Sequence, residues 1–187
     1  MRLNDPLITS FEFEGKEYNI DLSFDVVLDV FDVLGDKTLR EWEKAETALL
    51  LLLDEEIKGQ EAINLWNFVY ENFIEVKYEQ PIEYDLKGNP LPPKPQEKKR
   101  IIDIEKDAQY IYASFRQAYG MNLFKEQGNL HWHEFQALLH ALPSDTSMQK
   151  IIQIRLWEPQ KGDSAEYKEN MRKLQKIYAL GEVEQDG

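Results

Sequence analysis

Apolar positions recur every three or four residues along most of the chain, which is the spacing of amphipathic helices. Seven stretches show this pattern, at about residues 24–34, 38–53, 60–75, 103–119, 132–142, 147–157 and 165–180. Gly or Pro residues stand near most of the ends of these stretches, where helices commonly stop. The pattern predicts a single mainly α, multi-helix domain over residues 1–187.

A different pattern near the N-terminus predicts a small β-hairpin within residues 7–21. From Phe11 to Ile20, apolar and polar residues alternate around the pair Glu14-Gly15. Strict alternation is typical of a strand with one buried face, and a Gly-containing pair suits a tight turn. Two strands alone are marginally stable, so we expect the hairpin to pack against helices.

The first helix has an apolar side and an acidic side. Ser23 stands where an N-cap is expected, and Gly35 where the helix should stop. The apolar side is formed by Phe24, Val27, Leu28, Phe31 and Leu34. The other side carries an acidic strip, which comprises Asp25, Asp29, Asp32 and Asp36. Two interpretations stay open: a solvated face, or a docking strip for a basic partner.

Two further N-terminal caps and one apolar run can be inferred. Thr38 to Glu41 has the form of a capping box that opens the second helix, and Asp103 is expected to cap the fourth. Residues 49–53 are all leucine. A helix that is apolar on nearly every side is usually central in the core, so we expect the second helix to be central.

The helical pattern is lost over residues 76–100, which form a proline-rich central loop. Five of the eight prolines lie there. Connections of this length are usually functional or disordered. At the other end, residues 163–187 should form a C-terminal helix followed by a tail, which could be mobile.

The charge and the cysteine content exclude several classes of function. The formal net charge is −13, which opposes binding to nucleic acid and favours basic partners or simple solubility. No cysteine is present, so disulfides and thiolate metal sites are excluded. The N-terminus has no signal-peptide pattern, and no apolar run approaches the roughly 20 residues of a membrane span. We therefore expect no membrane association.

The three histidines, His131, His133 and His140, are the only argument for chemistry. Residues two apart on a helix point about 200° apart, so His131 and His133 should not share a metal. His133 and His140 share a face but lie too far apart along the axis. No nucleophile or phosphate-binding motif is present. We predict a non-enzyme with no catalytic residue, no metal site and no cofactor.

The C-terminal half resembles the bacteriophage gene product fifteen family, from siphophages and prophages of low-GC Gram-positive bacteria. The similarity covers residues 107–115, 119–123, 128–139 and 154–155, and its most specific part is Leu130-His131-Trp132-x-x-Phe135-x-Ala137-Leu138-Leu139. Residues 25–32, Trp42, the leucine run and residues 173–180 extend it over most of the chain. The family has no established active-site residues.

The resemblance implies a function in phage tail assembly. Family genes lie near those of the major tail protein and the tape measure protein, which implies a tail assembly chaperone. Such a protein binds the tape measure protein, recruits tail tube subunits in the bacterial host cytoplasm, and is absent from the mature virion. Self-association into a homo-oligomer is compatible with this function.

Six residues are candidates for partner binding. Asp25, Asp29 and Asp32 of the acidic strip could steer basic segments of a client, and Tyr112, Trp132 and Phe135 could line a groove for an amphipathic helix. Equally, the three aromatic residues could be ordinary core. The alternative functions are a structural tail or connector component that stays in the virion, an acidic DNA-mimic inhibitor and, least favoured, a small hydrolase.

Overall fold

A computed structural model describes residues 4–75 and 101–180 of the chain. Within these residues, seven α-helices and one antiparallel hairpin confirm the mainly α fold. The elements are β1 (Ser10–Phe13), β2 (Lys16–Asn19), α1 (Phe24–Gly35), α2 (Glu41–Leu53), α3 (Gly59–Val69), α4 (Ala108–Tyr119), α5 (Trp132–His140), α6 (Ser147–Leu156) and α7 (Ala165–Ile177). A π-helical turn, Tyr70–Ile74, follows α3, and a 3-10 turn, Leu123–Lys125, follows α4.

The described residues form two compact units. The first unit contains residues 4–75 and 126–136, and the second unit contains residues 101–125 and 137–180. A single domain over residues 1–187 stays a prediction. The predicted proline-rich loop, 76–100, and the tail after residue 180 lie outside the described residues, whereas the predicted C-terminal helix corresponds to α7.

The N-terminal hairpin forms as the alternation predicts. Its turn is Glu14-Gly15, and both residues have positive φ, 50° and 81°, which fits a tight two-residue connection. The inward-facing rings then pack on the helices: Phe11 lies 5.5 Å from Tyr18 and 5.1 Å from Phe73, measured between ring centroids. The hairpin therefore depends on aromatic packing against the region after α3, as expected for two isolated strands.

Helix α1 has the predicted bounds but a different N-terminal arrangement. Ser23 is the N-cap residue, yet its hydroxyl donates to Asp21 Oδ1 at 2.6 Å and makes no capping bond to the helix. The fully buried face is Phe24, Val27 and Val30, whereas Leu28, Phe31 and Leu34 are only half-buried. The apolar side is thus rotated toward Val30 from the face that the sequence predicts.

The predicted capping box of the second helix is wrong in its position. The amide and the hydroxyl of Thr38 both donate to Asp36 Oδ1, at 2.8 and 2.7 Å, and α2 begins only at Glu41. At that start, Glu43 accepts a hydrogen bond from the Arg40 amide at 2.8 Å. Thr38 stabilises the turn before the helix, because its short side chain reaches the nearby carboxylate.

The leucine run of α2 is buried on one side only, so the helix is not covered all round, although it packs against two other helices as expected for a central helix. Leu49, Leu52 and Leu53 are buried, but Leu50 and Leu51 are 43% and 37% exposed. Helix α2 packs against α1 and α3 and keeps a solvent face. Because five consecutive leucines point around the whole helix, the neighbouring elements decide which of them are covered.

In the second unit, Asp103 does not cap the fourth helix as predicted. Helix α4 begins at Ala108 with Asp107 as its N-cap residue, and both aspartates are buried. Asp103 Oδ1 accepts from the Lys106 amide at 3.0 Å, so it shapes the turn before the helix. The predicted stop is confirmed, because Gly120 ends α4 with a φ of 66°.

A buried ion pair between Arg155 and Asp107 organises the second unit. Arg155 Nη1 and Nη2 bind the two carboxylate oxygens of Asp107 at 2.6 and 2.7 Å. Nη1 also donates to the Ile101 carbonyl at 2.8 Å, and Nε to the Tyr178 carbonyl at 2.7 Å. One guanidinium on α6 thus holds the start of α4, the segment before it and the end of α7, which suits the planar fork of Arg.

Replacing Arg155 should strongly destabilise the protein. We expect Arg155→Ala to lower the free energy of unfolding by about 3–5 kcal/mol, because the Asp107 carboxylate would stay buried without its counter-charge. Urea denaturation followed by circular dichroism measures the change. Arg172→Ala, which removes an exposed arginine of α7, is the control and should change stability by no more than about 0.5 kcal/mol. An equal loss of stability in the two variants would contradict the stabilising role assigned to Arg155.

Candidate partner-binding surface

Two backbone hydrogen bonds join distant parts of the chain beneath the candidate surface. The Phe24 amide donates to the Leu130 carbonyl at 2.9 Å, and the Trp132 amide to the Leu22 carbonyl at 2.7 Å. Ser23 and His131 lie opposite each other in this antiparallel bridge. The bridge fixes the start of α1 and the start of α5 against each other, and so it positions five of the six candidate residues.

Asp25, the first residue of the acidic strip, is part of this junction. Its Oδ1 accepts a hydrogen bond from the Gly128 amide at 2.9 Å, and the residue is only half-exposed. Gly128 has a φ of 71°, a conformation that suits glycine in the turn before α5. Asp25 therefore has a structural contact across the bridge, and only part of its side chain is exposed to solvent.

The accessible part of the acidic strip is formed by Asp29 and Asp32. Both are exposed on α1, and spacings of three and four place them on the same side as Asp25 and Asp36. From Asp25 to Asp36 the strip extends about 16 Å along the helix. At its far end, hydrogen bonds from the hydroxyl and amide of Thr38 lower the pKa of Asp36, which keeps that carboxylate ionised.

Trp132 and Phe135 lie in the interior, which corrects their assignment to an open groove. They are 3% and 1% exposed. Phe135 stacks on Phe24 with ring centroids 5.0 Å apart, and Trp132 contacts Phe31 at 5.6 Å. The Trp132 indole N–H points to the Ile74 carbonyl at 3.4 Å. Both rings are therefore core residues of the first unit and are not accessible to a partner in this conformation.

Tyr112 belongs to the second unit and lies beside an aromatic residue that sequence reasoning missed. The half-buried Tyr112 ring packs against Phe124, with centroids 5.1 Å apart, and Phe124 is 71% exposed. Phe124 lies in the non-periodic segment after Gly120, where spacing gives no prediction of burial. The only feature of the sequence that could have indicated an exposed aromatic residue here is that Phe124 is a large apolar residue in a polar turn. Tyr112 therefore contributes to a partly exposed aromatic surface.

His131 and His133 stack on each other, which the helical spacing argument did not anticipate. Their ring centroids are 5.2 Å apart, and the His133 amide donates to His131 Nδ1 at 3.2 Å. Side chains two residues apart point about 200° apart only within a helix, and His131 precedes the first residue of α5. His131 is buried, and its Nε2 has no hydrogen-bond partner among the described residues.

The histidine pair has a consequence for protonation. Burial, together with the electrostatic influence of the neighbouring His131, lowers the pKa of His133. Within residues 4–75 and 101–180, no three His, Asp or Glu side chains are arranged to hold a metal ion. In the same residues, no helix is long and apolar enough to cross a bilayer.

Comparison with known proteins matches this chain to a protein family. A family model described as "Bacteriophage Gp15 protein" matches residues 3–180. No curated protein and no solved structure matches the chain. The matched region includes the bridge, the acidic strip, the histidine pair and the Asp107–Arg155 ion pair.

The core assignment of Trp132 can be tested by truncation. We expect Trp132→Ala to lower the free energy of unfolding by about 3–5 kcal/mol, because it removes a fully enclosed ring and leaves a cavity. Trp42→Ala is the matched control, since Trp42 is 41% exposed and should cost much less. Chemical denaturation of both variants gives the comparison. A folded, fully stable Trp132→Ala protein would return this residue to the list of accessible sites.

Stability should fall on mild acidification because of His133. Its pKa is lowered in the folded chain, so below a pH of about 6.5 the unfolded chain binds the proton more readily. The stabilising contribution is complete above that pH and is lost as the pH falls toward the folded-state pKa. Thermal melting between pH 8 and pH 5 should show a smaller decrease for His133→Gln than for the unmodified chain. An equal decrease in the His133→Gln variant and the unmodified chain would show that a different group causes the loss of stability.

Proposed function

The chain belongs to the bacteriophage Gp15 protein family, and we propose that it is a non-catalytic tail assembly chaperone that binds the tape measure protein. The observation that carries this proposal is the family match over residues 3–180. In the proposed role the protein also recruits tail tube subunits. It acts in the host cytoplasm, is absent from the finished virion, and requires no cofactor, nucleic acid or membrane.

The distribution of charge supports a basic client. Residues 4–75 and 126–136 of the first unit carry 20 acidic and 5 basic side chains, a net charge of −15. Residues 101–125 and 137–180 of the second unit carry 8 acidic and 10 basic side chains, a net charge of +2. The negative charge is thus concentrated on the first unit, where Asp29 and Asp32 are exposed. Such a field attracts basic segments and repels phosphate backbones.

The physical need for a chaperone follows from the nature of the client. A tape measure protein is long and amphipathic, and an uncovered apolar stripe on a long helix promotes aggregation. A helical protein that covers this stripe until tube subunits replace it would keep the client soluble. Self-association of the chaperone along the client would fit this role.

Co-expression tests the proposal directly. We expect the tape measure protein of the same phage to be soluble and to co-purify with this chain, and to aggregate when expressed alone. Asp29→Asn/Asp32→Asn should reduce the recovered complex severalfold at low salt, because both carboxylates are exposed on the strip. Glu105→Gln/Glu158→Gln, which removes two exposed charges from the second unit, is the matched control. Aggregation of the client at every expression ratio would refute the chaperone role.

Two measurements separate the alternatives. Mass spectrometry of purified virions should find no stoichiometric amount of the chain, whereas stoichiometric presence would identify a structural tail or connector component. A DNA-mimic inhibitor would instead show salt-sensitive competition with DNA for a host protein, and we expect none.

A further inference from the structure

The outer face of α2 carries two leucines that the fold leaves uncovered. Leu50 and Leu51 are 43% and 37% exposed, although Leu49 and Leu52 on the same helix are 0% and 1% exposed. Consecutive helical residues are about 100° apart, so Leu50 and Leu51 flank the centre of the solvent face. Two adjacent exposed leucines on a well-packed helix form a small apolar face that an additional element can cover.

Polar and acidic residues border this apolar pair along the helix axis. Thr47 lies between the two leucines on the same face, one turn earlier, and Glu43 lies one turn before Thr47. Glu43 is held in place by accepting the Arg40 amide, and the exposed Asp54 ends the helix at the other side of the pair. We define the α2 face as Glu43, Thr47, Leu50, Leu51 and Asp54. Its apolar centre is therefore bordered by carboxylates at both ends, although the basic residues Arg40 and Lys44 stand next to Glu43, and Lys44 is paired with Glu41 at 2.9 Å.

The charge of the first unit selects the kind of element that can cover this face. With a net charge of −15 on its described residues, the first unit repels the same surface of a second copy. A helix with an apolar stripe and basic flanks is complementary to the exposed leucines and to the negative charge, since its stripe covers the leucines and its basic flanks contact the carboxylates.

We propose that the α2 face is the docking site for an amphipathic helix whose polar side is basic. The inference deepens the proposed function, because it names the surface and the chemistry of the client, and it rests on that function only for the identity of the natural client. The exposed leucines supply the contact area, and the carboxylates supply orientation and a faster encounter.

A model peptide tests the proposal without the natural client. The probe is a fluorescein-labelled 18-residue peptide of Leu and Lys at amphipathic helical spacing, titrated with the full-length chain and followed by fluorescence anisotropy. We expect saturable binding that weakens as salt is raised. A peptide of the same composition in scrambled order, and an amphipathic Leu/Glu peptide, should both bind at least about tenfold more weakly.

Variants locate the site. Leu50→Gln/Leu51→Gln should weaken binding of the Leu/Lys peptide by about tenfold or more, because the apolar contact is lost while the charge is kept. Leu156→Gln/Ile177→Gln is the matched control, since these residues are 51% and 70% exposed on the second unit, and it should bind normally. Circular dichroism melting checks that both variants fold, which is expected because all four side chains are partly exposed.

Several outcomes would overturn the docking site. Equal binding of the scrambled peptide would mean that charge alone acts, and unchanged binding by Leu50→Gln/Leu51→Gln would place the site elsewhere. A dimer in light scattering that this variant abolishes would identify a second copy as the occupant. Peptide binding at the α2 face without solubilisation of the tape measure protein would refute the proposed function alone. Solubilisation that the leucine variant leaves intact would refute the docking site alone.

Discussion

The first unit depends on the bridge between residues 22–24 and residues 130–132. Two short backbone hydrogen bonds bring together segments that are more than 100 residues apart in the chain. The bridge places His131 and Trp132 beside the start of α1, and it brings the Gly128 amide to Asp25. The entropy of closing such a long loop must be repaid, and the burial of Trp132 and Phe135 against α1 supplies part of that stabilisation.

The second unit has a different organising constraint, which is a buried charge. The Arg155 guanidinium lies in the low-dielectric interior, where it donates hydrogen bonds to the Asp107 carboxylate and to two backbone carbonyls. A buried ion pair of this kind adds little net stability, because the desolvation cost offsets much of the attraction, but removal of one partner leaves a buried charge uncompensated. The two units are thus organised by different forces: backbone pairing with aromatic packing in one, and a charge network in the other.

The candidate surface consists of residues of the first unit that this packing leaves exposed to solvent. Asp25 is hydrogen-bonded to the Gly128 amide beside the bridge, and Trp132 and Phe135 are buried. The acidic residues of α1 that are exposed to solvent are therefore Asp29 and Asp32. Packing of α2 against its neighbours covers Leu49 and Leu52 but leaves Leu50 and Leu51 exposed. An acidic, partly apolar surface is therefore a property of the first unit, whereas the second unit is nearly neutral and presents Phe124.

Sequence alone determined the helical periods, the hairpin with its Glu14-Gly15 turn, the helix stop at Gly120 and the family to which the chain belongs. These features depend on local spacing and on backbone preferences that neighbouring residues set. Tertiary structure decided which apolar residues are covered and which polar residues become buried partners. The sequence predicts Thr38 and Asp103 as helix caps. In the structure, the Thr38 hydroxyl instead donates to the Asp36 carboxylate and the Asp103 carboxylate accepts from the Lys106 amide, so both residues stabilise turns before the helices. The burial of Trp132, the exposure of Leu50 and the pairing of Asp107 with Arg155 depend on contacts between distant segments, which periodicity does not encode.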